Sequence, residues 1–408
     1  MLRSTKVTVA LLFVAYAIDY IDRLAINLAL PLLGEEFDLD YSQRGLIIST
    51  FFIAYTLAQL PGGLLADRYG AVRMALIGLV AWSVFTGLTA LAWSFGTLLV
   101  VRFLFGLAQG VFPAAAVKLV AERSIPEQRA TATGWMNSSN AVGTLLAIVV
   151  AAALLPLIGW RGMFLAVAAL GVLSLVSIKL WLPPALPAEN DHGPDSSWDN
   201  MRTVLRSRAM WLFALMFFGY DFVIWGMSSW VPSYLHDERG IALSSASLLL
   251  IPATVVAAVT TVIGGRISDR LAGNSRVVVV PSMLACIVML VSIPFVSNTA
   301  LFVVLVTLGS AAASFAFMPC FALPLRALPS SVVGAASSMI IFGGMVAGII
   351  APLVFGFIVD HLSWSAAFVS LALGPVVAIV AVMAAPQTRE KMLNLVQLKN
   401  RQLKEEQP

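Results

Sequence analysis

The sequence predicts an all-α membrane protein in which twelve transmembrane helices form two pseudo-symmetric six-helix bundles. Hydrophobic residues make up 60% of its 408 residues and charged residues only 11%, with a mean hydropathy of +0.92. Apolar stretches of about 20 residues recur between short polar breaks, which is typical of membrane-spanning helices. The two halves also share motifs in the same order. A chain this apolar cannot cover itself with charge as a soluble protein does.

Twelve apolar stretches are long enough to cross a membrane. They cover residues 7–31, 44–66, 73–93, 97–121, 133–157, 163–182, 209–234, 245–266, 276–296, 299–324, 334–358 and 364–385. The longest polar break contains Pro183, Pro184 and Pro187 and predicts a linker. The expected domains are an N-terminal six-helix bundle at 1–182, a cytoplasmic linker at 183–208, a C-terminal six-helix bundle at 209–385 and a cytoplasmic tail at 386–408.

The positive charges predict how the chain is oriented. If both termini are cytoplasmic, twenty of the 25 Lys and Arg residues fall on the cytoplasmic side, and only Arg44, Arg161 and Arg239 fall on the other. Cytoplasmic loops of membrane proteins carry such an excess. We therefore expect a multi-pass protein in the lipid bilayer of a bacterial inner membrane, with both termini cytoplasmic. The net charge of +4 is loop charge, so no nucleic-acid partner is expected.

The two halves carry an internal repeat. The run G-G-L-L-A-D-R at 62–68 recurs as G-G-R-I-S-D-R at 264–270. Further matching landmarks are Gly134 and Gly143 with Gly334 and Gly343, Trp160 with Trp364, and Pro113 with Pro319. A duplicated six-helix unit is the architecture of alternating-access transporters.

Over its whole length the chain resembles the major facilitator superfamily. The G-x-L-x-D-R-x-G-x-x-R pattern of that superfamily stands here as Gly63, Leu65, Asp67, Arg68, Gly70 and Arg73. The expected gating residues are Gly63, Asp67 and Arg68, with Asp269 and Arg270 in the repeat. A carboxylate at Asp67 can pair with arginines or a helix N-terminus in one state and release them in another. We expect a functional monomer.

Five charged residues lie inside the predicted spans: Asp19, Asp22, Arg23, Arg102 and Asp221. A charge at the bilayer centre costs about 2.5–3.5 kcal/mol on insertion scales, so such residues are expected to face a cavity and to carry function. The first span holds three of the five. It is therefore the first place to look for a binding site.

Tyr16, Tyr20, Arg23 and Asn27 recur at spacings of four, three and four, which forms one polar stripe on the first helix. Arg23 offers a planar guanidinium suited to a carboxylate. Asp19 precedes it by four residues and can pair with it, whereas Asp22 points about 100° away. The alternative is that the Asp19–Arg23 pair only holds the helix in place.

Arg102 and Asp221 leave alternatives open. Arg102 either contacts the substrate, holds Asp22 ionised until a proton arrives, or only links the fourth helix to the first. Asp221 is either a second proton site, a partner for one of the two buried arginines, or a residue near the polar end of its helix.

Tyr20-Ile21-Asp22-Arg23, with Arg102 in R-F-L-F-G-L-A-Q-G, resembles the anion:cation symporters within the superfamily. The resemblance implies a small organic anion as substrate and the proton as coupling ion, with no other cofactor and no metal. It implies that Asp22 takes the proton, that Arg23 binds the substrate carboxylate and that Arg102 tunes the protonatable group. It further implies pocket contacts from Tyr20, Tyr55 and Asn140.

The chain departs from that family at two places. Gln109 stands where many members have a glutamate, which removes one proton site, so either one proton is coupled per cycle or Asp19 or Asp221 takes part in proton coupling. The stretch Met339 to Gly344 reads M-I-I-F-G-G where sugar-acid members tend to have an asparagine. This argues mildly for a small or more apolar carboxylate over a polyhydroxylated one.

Proton-coupled uptake of an organic anion, such as a sugar acid or a small or aromatic carboxylate, is the leading hypothesis. The alternative is proton-driven efflux of a metabolite or drug. The fifth helix lacks the G-P-x-x-G-G motif frequent in exporters, and two buried arginines disfavour cationic drugs. No Ser-His-Asp set, metal cluster or phosphate loop is visible, so the chain is not expected to be an enzyme.

Overall fold

A computed structural model describes residues 1–186, 197–271 and 273–396, and among these residues all regular structure is helical. The all-α prediction is therefore confirmed. The helices are α1 (Arg3–Phe37), α2 (Tyr41–Tyr69), α3 (Ala71–Ala90), α4 (Phe95–Glu122), α5 (Pro126–Trp181), α6 (Ser197–Arg206), α7 (Arg208–Ser233), α8 (Leu243–Leu248), α9 (Ile251–Arg270), α10 (Arg276–Ser292), α11 (Thr299–Phe315), α12 (Pro319–Ala327), α13 (Ser330–His361), α14 (Trp364–Ser370), α15 (Leu373–Ala384) and α16 (Arg389–Leu395). A short π-helix, Tyr234–Glu238, continues α7, and a 3₁₀ turn, Ile293–Phe295, follows α10.

Each of the twelve predicted spans is occupied by helix. Nine helical stretches within the described residues are long and apolar enough to cross a membrane, and the bent α2 makes a tenth. The charged α1, at 35 residues, is also long enough to cross. The 56 residues of α5 correspond to about 84 Å of helix, which is enough for two spans. Its backbone breaks at Gly159, where φ is 65°.

The chain forms two compact units. The first comprises Met1–Asp191 and Ser229–Ile251, and the second comprises His192–Ser228 and Pro252–Pro408. One of the three boundaries between these units falls within 183–208, and the other two lie after Ser228 and after Ile251. Residues 187–196 of the expected linker and 397–408 of the expected tail lie outside the described residues. Within 183–208, the structure describes the helix α6 (Ser197–Arg206).

Local sequence explains where the helices around the site begin and end. Asp38 adopts a left-handed conformation (φ 51°) at the end of α1. Asp40 then caps α2: the Gln43 backbone N–H donates to its Oδ1 at 2.7 Å, and the Gln43 side chain accepts from the Asp40 N–H at 3.1 Å. This reciprocal capping box satisfies two backbone donors that would otherwise lack partners. The turn between α1 and α2 is therefore short and well defined.

The internal repeat reappears in the packing of each unit. A Cβ on Gly62 would lie 2.9 Å from the Val111 Cα, and one on Gly264 would lie 3.1 Å from the Phe315 Cα. Glycine is required at both places because it lets the helix backbones approach closely. The matching motifs thus make matching helix contacts in the two units.

Candidate functional site

Arg23 lies at the centre of the charged cluster on α1, in the first unit. Its Nη2 donates to Asp19 Oδ2 at 3.2 Å, and its Nε donates to Gln109 Oε1 at 3.3 Å. The Gln109 amide in turn donates to the Asp19 carbonyl at 3.3 Å. These bonds fix one edge of a buried guanidinium. The Nη1 group takes part in neither of the two bonds.

Aromatic rings surround the same guanidinium. The Arg23 Cζ lies 4.5 Å from the ring centroid of Tyr55, 5.0 Å from that of Tyr20 and 5.5 Å from that of Phe51. Contacts of this kind stabilise a cation and hold its plane. The structure therefore brings Tyr20 and Tyr55 together at Arg23. Phe51 is an addition that its position on α2, one turn before Tyr55, could have suggested.

Asp22 faces a different neighbour from Arg23. Its Oδ2 accepts a short hydrogen bond from the Thr86 hydroxyl on α3, and its Oδ1 has no hydrogen-bond partner among the described residues. Arg102 interacts with Asp22 electrostatically, but its Nη2 donates to Thr89 at 3.3 Å. The hydroxyls of Thr86 and Thr89 lie within one turn of α3. Asp22 and Arg102 are therefore both hydrogen-bonded to that helix.

Arg102 is fully buried between two aromatic rings. Its Cζ lies 4.9 Å from the Phe105 ring centroid and 5.1 Å from that of Phe164. These rings enclose the guanidinium. The position therefore favours an electrostatic role towards Asp22 over a direct contact with a substrate.

Besides Asp22 Oδ1, three buried carboxylate or amide oxygens in the first unit lack a donor within the described part of the chain: Asn27 Oδ1, Asn140 Oδ1 and Asp19 Oδ1. Asn27 donates through its amide to Ser229 at 3.5 Å. Asn140 stands one turn before Gly143 of α5, where an added Cβ would meet the Ala17 carbonyl at 2.6 Å and the Tyr20 Cβ at 2.7 Å. All three acceptors therefore lie on elements that border Arg23. Buried acceptors of this kind are costly unless a donor reaches them.

The predicted gating motifs form matching ion pairs within their own units. Lys118 of α4 contacts Asp67 at 2.7 Å, and Arg326 of α12 contacts Asp269 at 3.0 Å. Gly63 lies close to Ala114 of α4. Arg68 lies over the Tyr69 ring at 5.4 Å. Among the described residues, no hydrogen bond or ion pair joins Arg270 to the site.

A buried ion pair beyond the α1 C-terminus was not predicted. Arg44 Nη1 contacts Asp237 Oδ2 at 2.7 Å, and its Nε donates to the Leu39 carbonyl at 3.2 Å. Its guanidinium also lies against Gly34, where a Cβ would overlap it. In the sequence, the only feature that sets Arg44 apart is that it is one of few basic residues on the side opposite the termini.

Asp221 stands on α7 and belongs to the second unit. It is 7% exposed, and among the described residues no group donates a hydrogen bond or a positive charge to its carboxylate. The sequence had left open whether an arginine pairs with it. Arg23 and Arg102 are bonded to the partners given above.

Two repeated helical units with buried charges on the first helix define a secondary membrane transporter. The model of the Major Facilitator Superfamily matches residues 12–351 and again 253–405. The chain belongs to this superfamily, and it is a multi-pass membrane transporter rather than an enzyme.

Relatives and a solved structure agree with this assignment. The hexuronate transporter of Bacillus subtilis is 30% identical over 375 residues, which is 86% of this chain and 87% of that protein. A probable L-galactonate transporter of Escherichia coli is 25% identical, over 88% and 85% of the two chains. A bacterial homologue of the human lysosomal transporter Spinster, at 18% identity, shares the fold with a TM-score of 0.82, over 97% and 99% of the two chains.

Proposed function

We propose that this protein is a proton-coupled symporter that takes up an organic anion by alternating access across a bacterial inner membrane. The observation that carries the proposal is the geometry of Arg23. Its guanidinium is buried and oriented by Asp19 and Gln109 before any anion arrives. Because the ordering cost is already met, a carboxylate gains more from binding there than it would at a mobile arginine.

The substrate class we favour is a sugar acid. The unsatisfied acceptors of Asn27 and Asn140 need donors, and hydroxyl groups are donors that a sugar acid carries beside its carboxylate. The names of the relatives, a hexuronate and an L-galactonate transporter, support this choice. It goes against the mild expectation of a small apolar acid, which rested on the helix that contains Met339 to Gly344.

Asp22 is our proposed proton carrier in the first unit. One of its oxygens accepts from Thr86, and the other has no partner in the described part of the chain, so a proton can add there without breaking a bond. Arg102 acts on Asp22 as a positioning charge. Asp19, by contrast, is engaged with Arg23 and serves mainly to orient it.

The test is uptake into proteoliposomes that contain the purified protein. The panel holds a hexuronate, an aldonate, a short monocarboxylate and an aromatic acid, each with and without an inward proton gradient. We expect the hexuronate or aldonate to accumulate, and to do so only with the gradient. If no acid moves, or if the gradient drives substrate outward, the symport proposal fails and efflux replaces it.

A variant pair tests the coupling residue separately. Asp22→Asn should still exchange substrate across the membrane, but its gradient-driven accumulation should fall below that of the wild type. The matched control is Asp38→Asn, which changes an exposed carboxylate at a left-handed position that asparagine accepts. Normal accumulation in Asp22→Asn would remove Asp22 from the mechanism.

A further inference from the structure

The carboxylate of Asp221 is buried without a counter-charge in the second unit. The titratable groups nearest to it are Tyr220 on its own helix and Cys320 on α12, and neither is a cation. Facing it from α13 is Gly344, which has no side chain. Within the described residues of the second unit, no cation lies beside Asp221 to balance an ionised carboxylate.

Aromatic rings cluster on Phe217, one turn before Asp221 on α7. The ring centroid of Phe217 lies 5.4 Å from that of Tyr220, 5.4 Å from that of Phe317 and 5.1 Å from that of Phe321. The rings pack on one another and make the surroundings apolar. An ionised carboxylate left unpaired in such surroundings costs several kcal/mol, so a positive charge must accompany it or the group must be neutral.

The space beside the carboxylate decides what that positive charge can be. A Cβ added to Gly344 would overlap Asp221 Oδ2 and would lie 2.6 Å from the Phe217 ring. The carboxylate therefore lies directly against the α13 backbone. A metal ion or an ammonium group needs a shell of ligands and room to hold it, whereas a proton needs neither.

The internal repeat shows the level of Asp221 along its helix. Gly143 of α5 packs on the Ala17 carbonyl of α1, and its repeat partner Gly343 of α13 packs on the Ala214 carbonyl of α7. With Ala17 and Ala214 aligned, Tyr220 takes the place of Arg23 and Asp221 follows it directly. At this level Asp22 stands next to Arg23 in the first unit, and Asp221 stands next to Tyr220 in the second.

We propose that Asp221 is a second proton-binding site of the transport cycle, in the second unit and separate from Asp22. The inference rests on the proposed proton-coupled transport. The carboxylic acid is neutral while packed against Gly344 and Phe217, and it releases its proton when water reaches it. Asp221 supplies a carboxyl group that can bind a proton. The amide of Gln109, which stands where many family members have a glutamate, cannot.

The experiment measures protons carried per substrate in proteoliposomes with the membrane voltage clamped to zero. Each coupled proton changes the accumulation ratio about tenfold per pH unit of gradient, since one pH unit is about 1.4 kcal/mol per proton. We expect about a hundredfold change for the wild type and about a tenfold change for Asp221→Asn. Counterflow without a gradient supplies each variant's reference rate. The control Cys320→Ala changes the neighbour without removing the carboxyl group and should keep the wild-type response.

A second measurement does not depend on transport by the variant. The infrared band of a protonated carboxyl group in the wild-type protein should be missing from Asp221→Asn and present in Cys320→Ala. An unchanged gradient response in Asp221→Asn, or a protonated-carboxyl spectrum in it identical to that of the wild type, would overturn the inference. A wild type that does not respond to the gradient at all, while the Asp221 band is present, would count against the proposed symport instead.

Discussion

Arg23 shows how single side chains prepare this site. Its cation is held by one carboxylate, one amide and three aromatic rings from α1, α2 and α4. Residues so constrained lose little further freedom when a ligand binds, which is the physical basis of preorganisation. Substitutions at and beside Arg23 should therefore affect substrate affinity more than they affect the fold.

Arg23→Gln tests the anion contact. The change should weaken substrate binding about 100-fold, because a buried charged pairing is worth roughly 3 kcal/mol. It also leaves Asp19 as an unpaired buried charge, so the double variant Asp19→Asn with Arg23→Gln should recover thermal stability but not binding. Binding is measured by titration of the purified protein. Wild-type affinity in the double variant would exclude Arg23 from the site.

Gln109→Glu tests the role of the neutral amide. A carboxylate at this position would bond to the Arg23 Nε as an ion and compete with the substrate carboxylate. We expect the KM for substrate to rise about tenfold at neutral pH, which corresponds to about 1.4 kcal/mol. Gln109→Met, which removes the bond without adding charge, should raise KM less. Equal effects from the two variants would mean that Gln109 acts only through packing.

Two ion pairs join residues near the end of α1 to other elements, and we compare how much each contributes to stability. Arg44 and Asp237 have side chains 10% and 13% exposed, whereas those of Arg161 and Glu36 are 43% and 38% exposed. Arg44→Gln should lower the free energy of unfolding by about 3 kcal/mol, because it removes the guanidinium from a mostly buried Asp237 and leaves it only His236 and Tyr41 as partners. Arg161→Gln should cost less than about 1 kcal/mol. Thermal unfolding in detergent compares them, and equal losses would contradict the assignment.

The stabilisation that the exposed Arg161–Glu36 pair contributes should depend on pH. Burial alone would raise the pKa of Glu36, but hydrogen bonds from Arg161 and Trp160 lower it below its ordinary 4.5. A lowered folded-state pKa means that the stabilisation is complete above the unfolded value and is lost as the pH falls through the folded one. The stability difference between wild type and Glu36→Gln should therefore be present at neutral pH and vanish in acid. A stability difference between the two proteins that grows as the pH falls would contradict this prediction.

For the whole molecule, the repeated motifs predict equivalent roles for Asp67 and Asp269. Their ion pairs with Lys118 and Arg326 occupy corresponding places in the two units. Because both carboxylates are largely exposed, Asp67→Asn and Asp269→Asn should each change stability by less than about 1 kcal/mol. If the pairs open and close during transport, each variant should slow turnover while KM changes little. A change in KM with normal turnover would make them part of the binding site.

Much of the fold was predictable because it follows from composition and spacing. Hydropathy predicts the spans, and the four-residue spacing of Asp19 and Arg23 predicts their contact, since such residues share a helix face. The contacts from Thr86 to Asp22 and from Gln109 to Arg23 join residues 64 and 86 apart in the chain. Those contacts depend on how each helix is rotated towards its neighbour, which no single stretch of sequence encodes.

The sequence by itself determined a twice-repeated set of membrane-spanning helices with a cluster of charged residues on the first, because hydropathy, motif repeats and helix periodicity are local properties. Only the tertiary structure decided which partner each buried charge has. It gave Arg23 the amide of Gln109, placed Arg102 between two rings and left Asp221 without a cation among the described residues. The physical reason is that the cost of a buried charge depends on the groups packed around it, and in a helical bundle those groups come from other helices.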